Sequence, residues 1–213
     1  MTNKPMIFIS PIKKKIAITK GYHEYTHKCG MLLLEKAFRH TGLVFSENDI
    51  IKAKSGKPYI QNNPVYFSIS HCDGLAVCVL SGNEIGVDCE SIRRASNAVM
   101  KRCYSDSEKQ NVINSPDSDT TFSRLWTLKE SYVKMTGNGI ASDLKTKCFD
   151  IENCRALFES GAVFYHYNCQ FDDNDYFISV CLRTDNEKTT ETIQVTDFDI
   201  DNEHILLYNV SDN

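Results

Sequence analysis

Along Ile85-Gly86-Val87-Asp88-Cys89-Glu90 apolar and acidic side chains alternate. In an extended chain that period of two puts Ile85, Val87 and Cys89 on one face and Asp88 and Glu90 on the other, roughly 6 to 7 Å apart at the backbone. Two carboxylates so spaced can converge on one hard cation, which takes oxygen ligands; without one, their repulsion is unfavourable. Further along, Glu130 and Lys134 in Leu125-Trp126-Thr127-Leu128-Lys129-Glu130-Ser131-Tyr132-Val133-Lys134 stand one helical turn apart on one face, adding a third acid and an ammonium. Upstream, Gly56-Lys57-Pro58 sets a cation in a tight turn, and Phe67-Ser68-Ile69-Ser70-His71 ends a strand with a hydroxyl and an imidazole. Lys57, Ser70 and His71 suit a phosphate by charge and hydrogen bonding. Each feature alone also has a structural reading: a solvated strand face, an i,i+4 surface pair, a satisfied histidine. Together they spell an acidic metal site beside phosphate-binding cations.

Elements must hold these groups in place. Tyr25, Cys29, Leu32, Leu33 and Ala37 fall at helical spacing, so 22–39 is an amphipathic helix. Strand-like runs at 65–70, 75–80 and 85–90, parted by Asp73-Gly74 and Gly82-Asn83, predict an antiparallel meander that delivers Ser70, Asp88 and Glu90. Helical patterns follow at 105–113 and 119–135, the second with Phe122, Leu125, Trp126 and Val133 on one face and Gly137 as its C-cap. Runs at 162–170, 176–182, 192–200 and 204–210 predict a second meander. The runs Leu75-Ala76-Val77-Cys78-Val79-Leu80 and Phe177-Ile178-Ser179-Val180-Cys181-Leu182 look like counterparts, which predicts two similar halves, 1–95 and 96–213, with a cleft between them.

The 213 residues suffice for a sizeable core, and 41% apolar with 24% charged residues is the composition of a folded chain. A net charge of −4 argues against bulk attraction to nucleic acid or an anionic membrane. Anions must then be bound locally, and Lys13-Lys14-Lys15 with Lys20 is the one basic cluster, either a solvated loop or a phosphate contact. Nine single cysteines without zinc-ligand spacing, and no signal-peptide or membrane-spanning run, predict reduced thiols in the cytoplasm.

The four motifs, with Gly137-Asn138-Gly139-Ile140 just after the last, occur in the order and spacing of phosphopantetheinyl transferases of the surfactin-synthetase-activator type. The chain resembles that family over residues 56–140, and the helix before and strands after extend the likeness to most of its length. The resemblance implies an α+β fold of two pseudo-symmetric halves, each a helix packed on a small antiparallel sheet, with the active site between them. It implies a monomer that moves 4′-phosphopantetheine from coenzyme A to a serine of an apo acyl or peptidyl carrier protein of secondary metabolism, releasing 3′,5′-ADP.

By position, the resemblance implies that Asp88, Glu90 and Glu130 hold Mg²⁺, with Mn²⁺ as an alternative, against the pyrophosphate of coenzyme A. Lys28, Lys57, Ser70, His71, Lys129 and Lys134 would contact the phosphates. Lys28 stands where relatives commonly carry arginine; it keeps the charge and loses the bidentate fork. Lys134 would neutralise or protonate the departing group. Glu130 is the first choice to take the serine proton and Glu108 the second, although Ser105-x-x-Glu108 is equally a capping box. The alternatives are a catalytically silent module that binds coenzyme A or a carrier protein, and a metal-dependent nuclease, which the acidic charge disfavours. A Cys-His hydrolase built on Cys72 and His71 is weaker still, because adjacent strand residues point to opposite faces.

Overall fold

A computed structural model of the chain describes residues 5–14, 21–61, 64–139 and 143–184, together with the backbone of 194–197 and 206–209. In chain order the elements are β1 (Met6–Pro11), α1 (Tyr22–His40), β2 (Ile50–Lys52), β3 (Pro58–Ile60), β4 (Tyr66–Cys72), β5 (Leu75–Ser81) and β6 (Ile85–Ser91). There follow α2 (Asn97–Cys103), α3 (Asp106–Asn114), α4 (Ser118–Thr136), β7 (Phe149–Asp150), β8 (Arg155–Ala156), β9 (Ala162–Phe171), β10 (Asn174–Arg183), β11 (Gln194–Asp197) and β12 (Leu206–Asn209). The fold is α+β. The remainder of the expected strands at 192–200 and 204–210 lies outside the described residues.

Two four-stranded sheets, ordered β11-β1-β5-β4 and β12-β9-β10-β6, face each other, and each is covered on its far side by one long helix. Alternation along the strands builds the layers. On β5, Ala76, Cys78 and Leu80 pack under α1 against Leu33, Leu34 and Phe38, while Val77 and Val79 meet Val87, Ile178 and Val180 of the opposite sheet. On β10 the same alternation sends Cys181 toward Phe122, Leu125 and Leu128 of α4. Burial on both faces is why these two strands are the near-continuous apolar runs of the sequence.

The strand pairing departs from the expectation in two ways. The meander stops after β4 and β5: β6 pairs instead with β10, in register from Ile85↔Leu182 to Ser91↔Tyr176. Toward β4, the backbone N–H groups of Val87 and Cys89 donate to the hydroxyls of Ser68 and Ser70 at 3.1 and 3.2 Å, so side chains rather than a backbone ladder close that seam. The first sheet is also mixed rather than purely antiparallel, since β11 runs parallel to β1. Each four-stranded sheet thus draws strands from both sides of residue 95.

Local chemistry fixes the helix ends, at Gly137 and at the Ser105–Glu108 box as the sequence predicts and at Asp117 in addition. Asp117 caps α4 through its carboxylate and the Thr120 N–H at 3.0 Å, and Gly137 ends it in the left-handed region at φ 71°. Ser105 and Glu108 form the reciprocal capping box at the start of α3. No helix among the described residues is long and apolar enough to cross a membrane.

Candidate functional site

Asp88, Glu90, Glu130, Lys134 and Ser70 meet where β4, β6 and α4 join. What permits this is Gly86: a Cβ there would lie 2.2 Å from the Met135 nitrogen and the Ser131 carbonyl oxygen, so only glycine lets α4 rest directly on β6. With the helix that close, the Lys134 ammonium donates to Asp88 Oδ1 and to Ser70 Oγ, both at 2.8 Å, and Ser70 Oγ donates to Asp88 Oδ1 at 2.9 Å. Lys134 therefore turns to the strand rather than to Glu130 one turn back. Burial works against its charge, yet the Asp88 carboxylate outweighs that and holds its pKa above the ordinary lysine value.

The other two acids are poorly compensated. Glu130 Oε1 is buried with no hydrogen-bond partner. Burial first, and then the Asp88 charge, raise the Glu130 pKa to about 7. Glu90 is likewise raised to about 7, chiefly by burial, although Arg93 pairs with it at 3.1 Å and pulls the other way. Arg93 lies over the rings of Phe122 and Trp126, 5.2 and 5.5 Å from their centroids, and its backbone N–H donates to Ser123 Oγ. In sequence Arg93 marks only a break in apolar pattern; its link to Glu90 needs the fold.

A groove of about 590 Å³ opens beside this cluster, lined in part by His27, Lys57, Ser68, His71 and Lys134. Alternation on β4 sends Ser70 to Asp88 and His71 the opposite way, against α1. There its ring meets His23 and His27 edge-on, with centroids 5.7 and 6.1 Å away, and burial with the nearby Lys134 charge lowers its pKa to about 4. His23 and His27, one turn apart on α1, are recognisable as a pair in the sequence only once the helix is drawn.

Lys57 reaches the groove but spends its ammonium on the carbonyls of Ile85, at 3.3 Å, and Met135, tying the start of β6 to the last turn of α4. Burial lowers its pKa. Lys28 forms an exposed pair with Glu24 at 2.9 Å on the outer face of α1 and does not line the groove.

Two expected residues stand apart from the site. Lys129 is fully buried, pairing with Glu108 at 2.9 Å and donating to the carbonyls of Leu144 and Lys147. Glu108 also accepts from the backbone N–H groups of Ser105 and Phe149, which occupies both of its oxygens. In this arrangement neither lines the groove: helical period turns residue 129 about 100° from residue 130 and into the core, where Glu108 meets it. Of the basic loop, Lys14 pairs with Asp172 at 2.9 Å in the β9–β10 turn, while Lys15 and Lys20 lie outside the described residues.

Comparison with known proteins adds the decisive observation: residues 84–191, just over half of the chain, match the family described as the 4′-phosphopantetheinyl transferase superfamily. The chain belongs to that superfamily. The match begins at β6 and runs through α4 to just past β10, so it takes in Asp88, Glu90, Glu130 and Lys134, while α1 and β4 lie before it. Similar proteins include the 4′-phosphopantetheinyl transferase Sfp of Bacillus subtilis, 30% identical over 145 residues, which are 65% of each chain. Another is the transferase gsp of Aneurinibacillus migulanus, 31% identical over 54% of this chain and 50% of its own. A third is the L-aminoadipate-semialdehyde dehydrogenase-phosphopantetheinyl transferase of Saccharomyces cerevisiae, 32% identical over 61% of this chain and 53% of its own. The chain thus matches just under two thirds, or about half, of the length of these relatives.

The donor chemistry of this site fits a hard divalent cation: three carboxylates, one with an unpartnered buried oxygen, and two with pKa values raised chiefly by burial. Among the described residues no three such side chains already form a cage. Lys134 on Asp88 and Arg93 on Glu90 take up part of that donor set.

Proposed function

We propose that the protein transfers 4′-phosphopantetheine from coenzyme A to a serine hydroxyl of an apo acyl or peptidyl carrier protein, with Mg²⁺ or Mn²⁺, and releases 3′,5′-ADP. The observation that carries this reading is the junction of Asp88, Glu90, Glu130 and Lys134 beside the groove, in a chain of this superfamily. Asp88, Glu90 and Glu130 would hold the cation, which when bound supplies charge stabilisation to the pyrophosphate. Lys134, paired with Asp88 in the metal-free chain, would face the same oxygens and neutralise or protonate the leaving group. The serine oxygen forms the new bond to phosphorus as the bond to the 3′,5′-ADP oxygen breaks. Glu130, whose Oε1 is buried without a hydrogen-bond partner, would take the hydroxyl proton. His71, with His27 at the groove wall, would meet the phosphate of the adenosine, and Lys57 would shape that wall from its bonds to Ile85 and Met135.

Two similar halves with the active site between them belong to this reading, supported by the matching interior positions of β5 and β10 in their sheets and by a site formed where β6 of the first half meets α4 of the second. The boundary near residue 95, a monomeric state and action in the cytoplasm belong to the same proposal. The test is mass spectrometry of an apo carrier protein after incubation with the protein, coenzyme A and MgCl₂. The expected result is the gain of one phosphopantetheine, lost with EDTA and in Asp88→Ala and Glu130→Ala. No gain, with coenzyme A still bound, would favour the silent binding module instead.

A further inference from the structure

We infer that Lys134 is the internal counter-ion of the carboxylate site and that a divalent cation binds by displacing it from Asp88. The inference rests on the proposed function for the identity of the cation, but its argument is local. Three carboxylates lie at one junction, and Lys134 and Arg93 are the cations that reach them there: Lys134 on Asp88 at 2.8 Å and Arg93 on Glu90 at 3.1 Å. The two are held differently. Arg93 has its guanidinium over the rings of Phe122 and Trp126 and its backbone N–H on Ser123, so packing confines it from behind. Lys134 ends a flexible four-carbon stem, lies in the last turn of α4 and lines the open groove, so its ammonium has somewhere to go.

Asp88 Oδ1, moreover, takes both Lys134 and Ser70, whereas Glu130 Oε1 nearby takes nothing. A hard cation entering between Asp88 and Glu130 would satisfy that orphaned oxygen and would compete with the ammonium for Asp88. Ser70 keeps its bond from the Cys89 N–H throughout and so holds Asp88 in place during the exchange. The released ammonium swings toward the groove, where the phosphates of the substrate would lie. Loading the metal and arming Lys134 are thus one event, and Lys134 acts on metal binding as well as on the leaving group.

Titration calorimetry with MnCl₂ or MgCl₂ alone, in the absence of coenzyme A, tests this. Lys134→Met is expected to bind the ion about five- to tenfold more tightly than the wild type, since removing an attractive partner of a partly buried acid frees it. Unchanged or weaker binding would overturn the inference. A second measurement needs no variant: in the wild-type chain, labelling of Lys134 by an amine-directed reagent, read by mass spectrometry, should rise on adding Mg²⁺. Constant or lower labelling would equally refute the exchange. Carrier modification separates the two proposals. Intact transfer with no metal-dependent change at Lys134 sinks the exchange alone, while metal-dependent release of Lys134 without any transfer sinks the proposed reaction alone.

Discussion

Gly86→Ala is the sharpest probe of how the site is assembled. The added methyl would sit 2.2 Å from two backbone atoms of α4, Met135 N and Ser131 O, and 2.8 Å from the Lys134 carbonyl carbon, where ordinary contact begins at 3.4 Å. No rotamer can relieve a clash with backbone, so α4 must lift by roughly 1 Å relative to β6. Overpacking of this kind costs about 3 kcal/mol, the upper end of the usual range. For a chain of this size that corresponds to a fall in Tm of about 6 to 12 °C. The same shift would stretch the 2.8 Å Lys134–Asp88 bond beyond hydrogen-bonding length, so transfer activity should fall more than the loss of folded protein explains. Circular-dichroism melts and carrier modification at a temperature where the variant is folded measure the two effects. Gly82→Ala, with no atom within 4 Å of the new methyl, serves as the control and should melt within about 2 °C of the wild type. A Gly86→Ala protein that melts like that control and retains full activity would refute the close-approach argument.

Glu90 and Glu130 have folded pKa values of about 7 in the metal-free protein, above their unfolded values, so their contribution to stability falls as pH rises from about 4.5 to 7, opposing the rise contributed by His71 and His166, whose pKa values burial lowers to about 4 and about 3. The Tm of the wild type relative to Glu130→Gln, measured in EDTA between pH 5 and 8, should therefore drop as pH rises; parallel curves would contradict it. Lys129→Met leaves Glu108 buried and unpaired and should cost about 3 to 5 kcal/mol, lowering Tm by about 10 °C in thermal melts. Glu108→Gln should likewise destabilise; wild-type stability with abolished transfer would instead reinstate Glu108 as the proton acceptor. Ser105→Ala, which removes one arm of the α3 capping box, should cost about 1 kcal/mol in urea unfolding with activity intact, and an unchanged midpoint would count against the cap.

Features of the site that depend on period and on near neighbours are legible in the chain alone. Alternation put Asp88 and Glu90 on one strand face, helical spacing aligned Glu130 with Lys134, Ser105-x-x-Glu108 announced a cap, and Gly137 ended α4. Each follows from backbone geometry within a few residues. Partners distant in the chain were decided by the tertiary structure, because a period assigns a face and not the neighbour it meets. Lys134 binds Asp88 and Ser70 rather than Glu130 because Gly86 brings the helix against β6. Lys129, one residue from Glu130, turns into the core and finds Glu108. β6 leaves the meander for β10 because the serines of β4 satisfy its other edge, and that exchange sets the acids at a seam between two sheets.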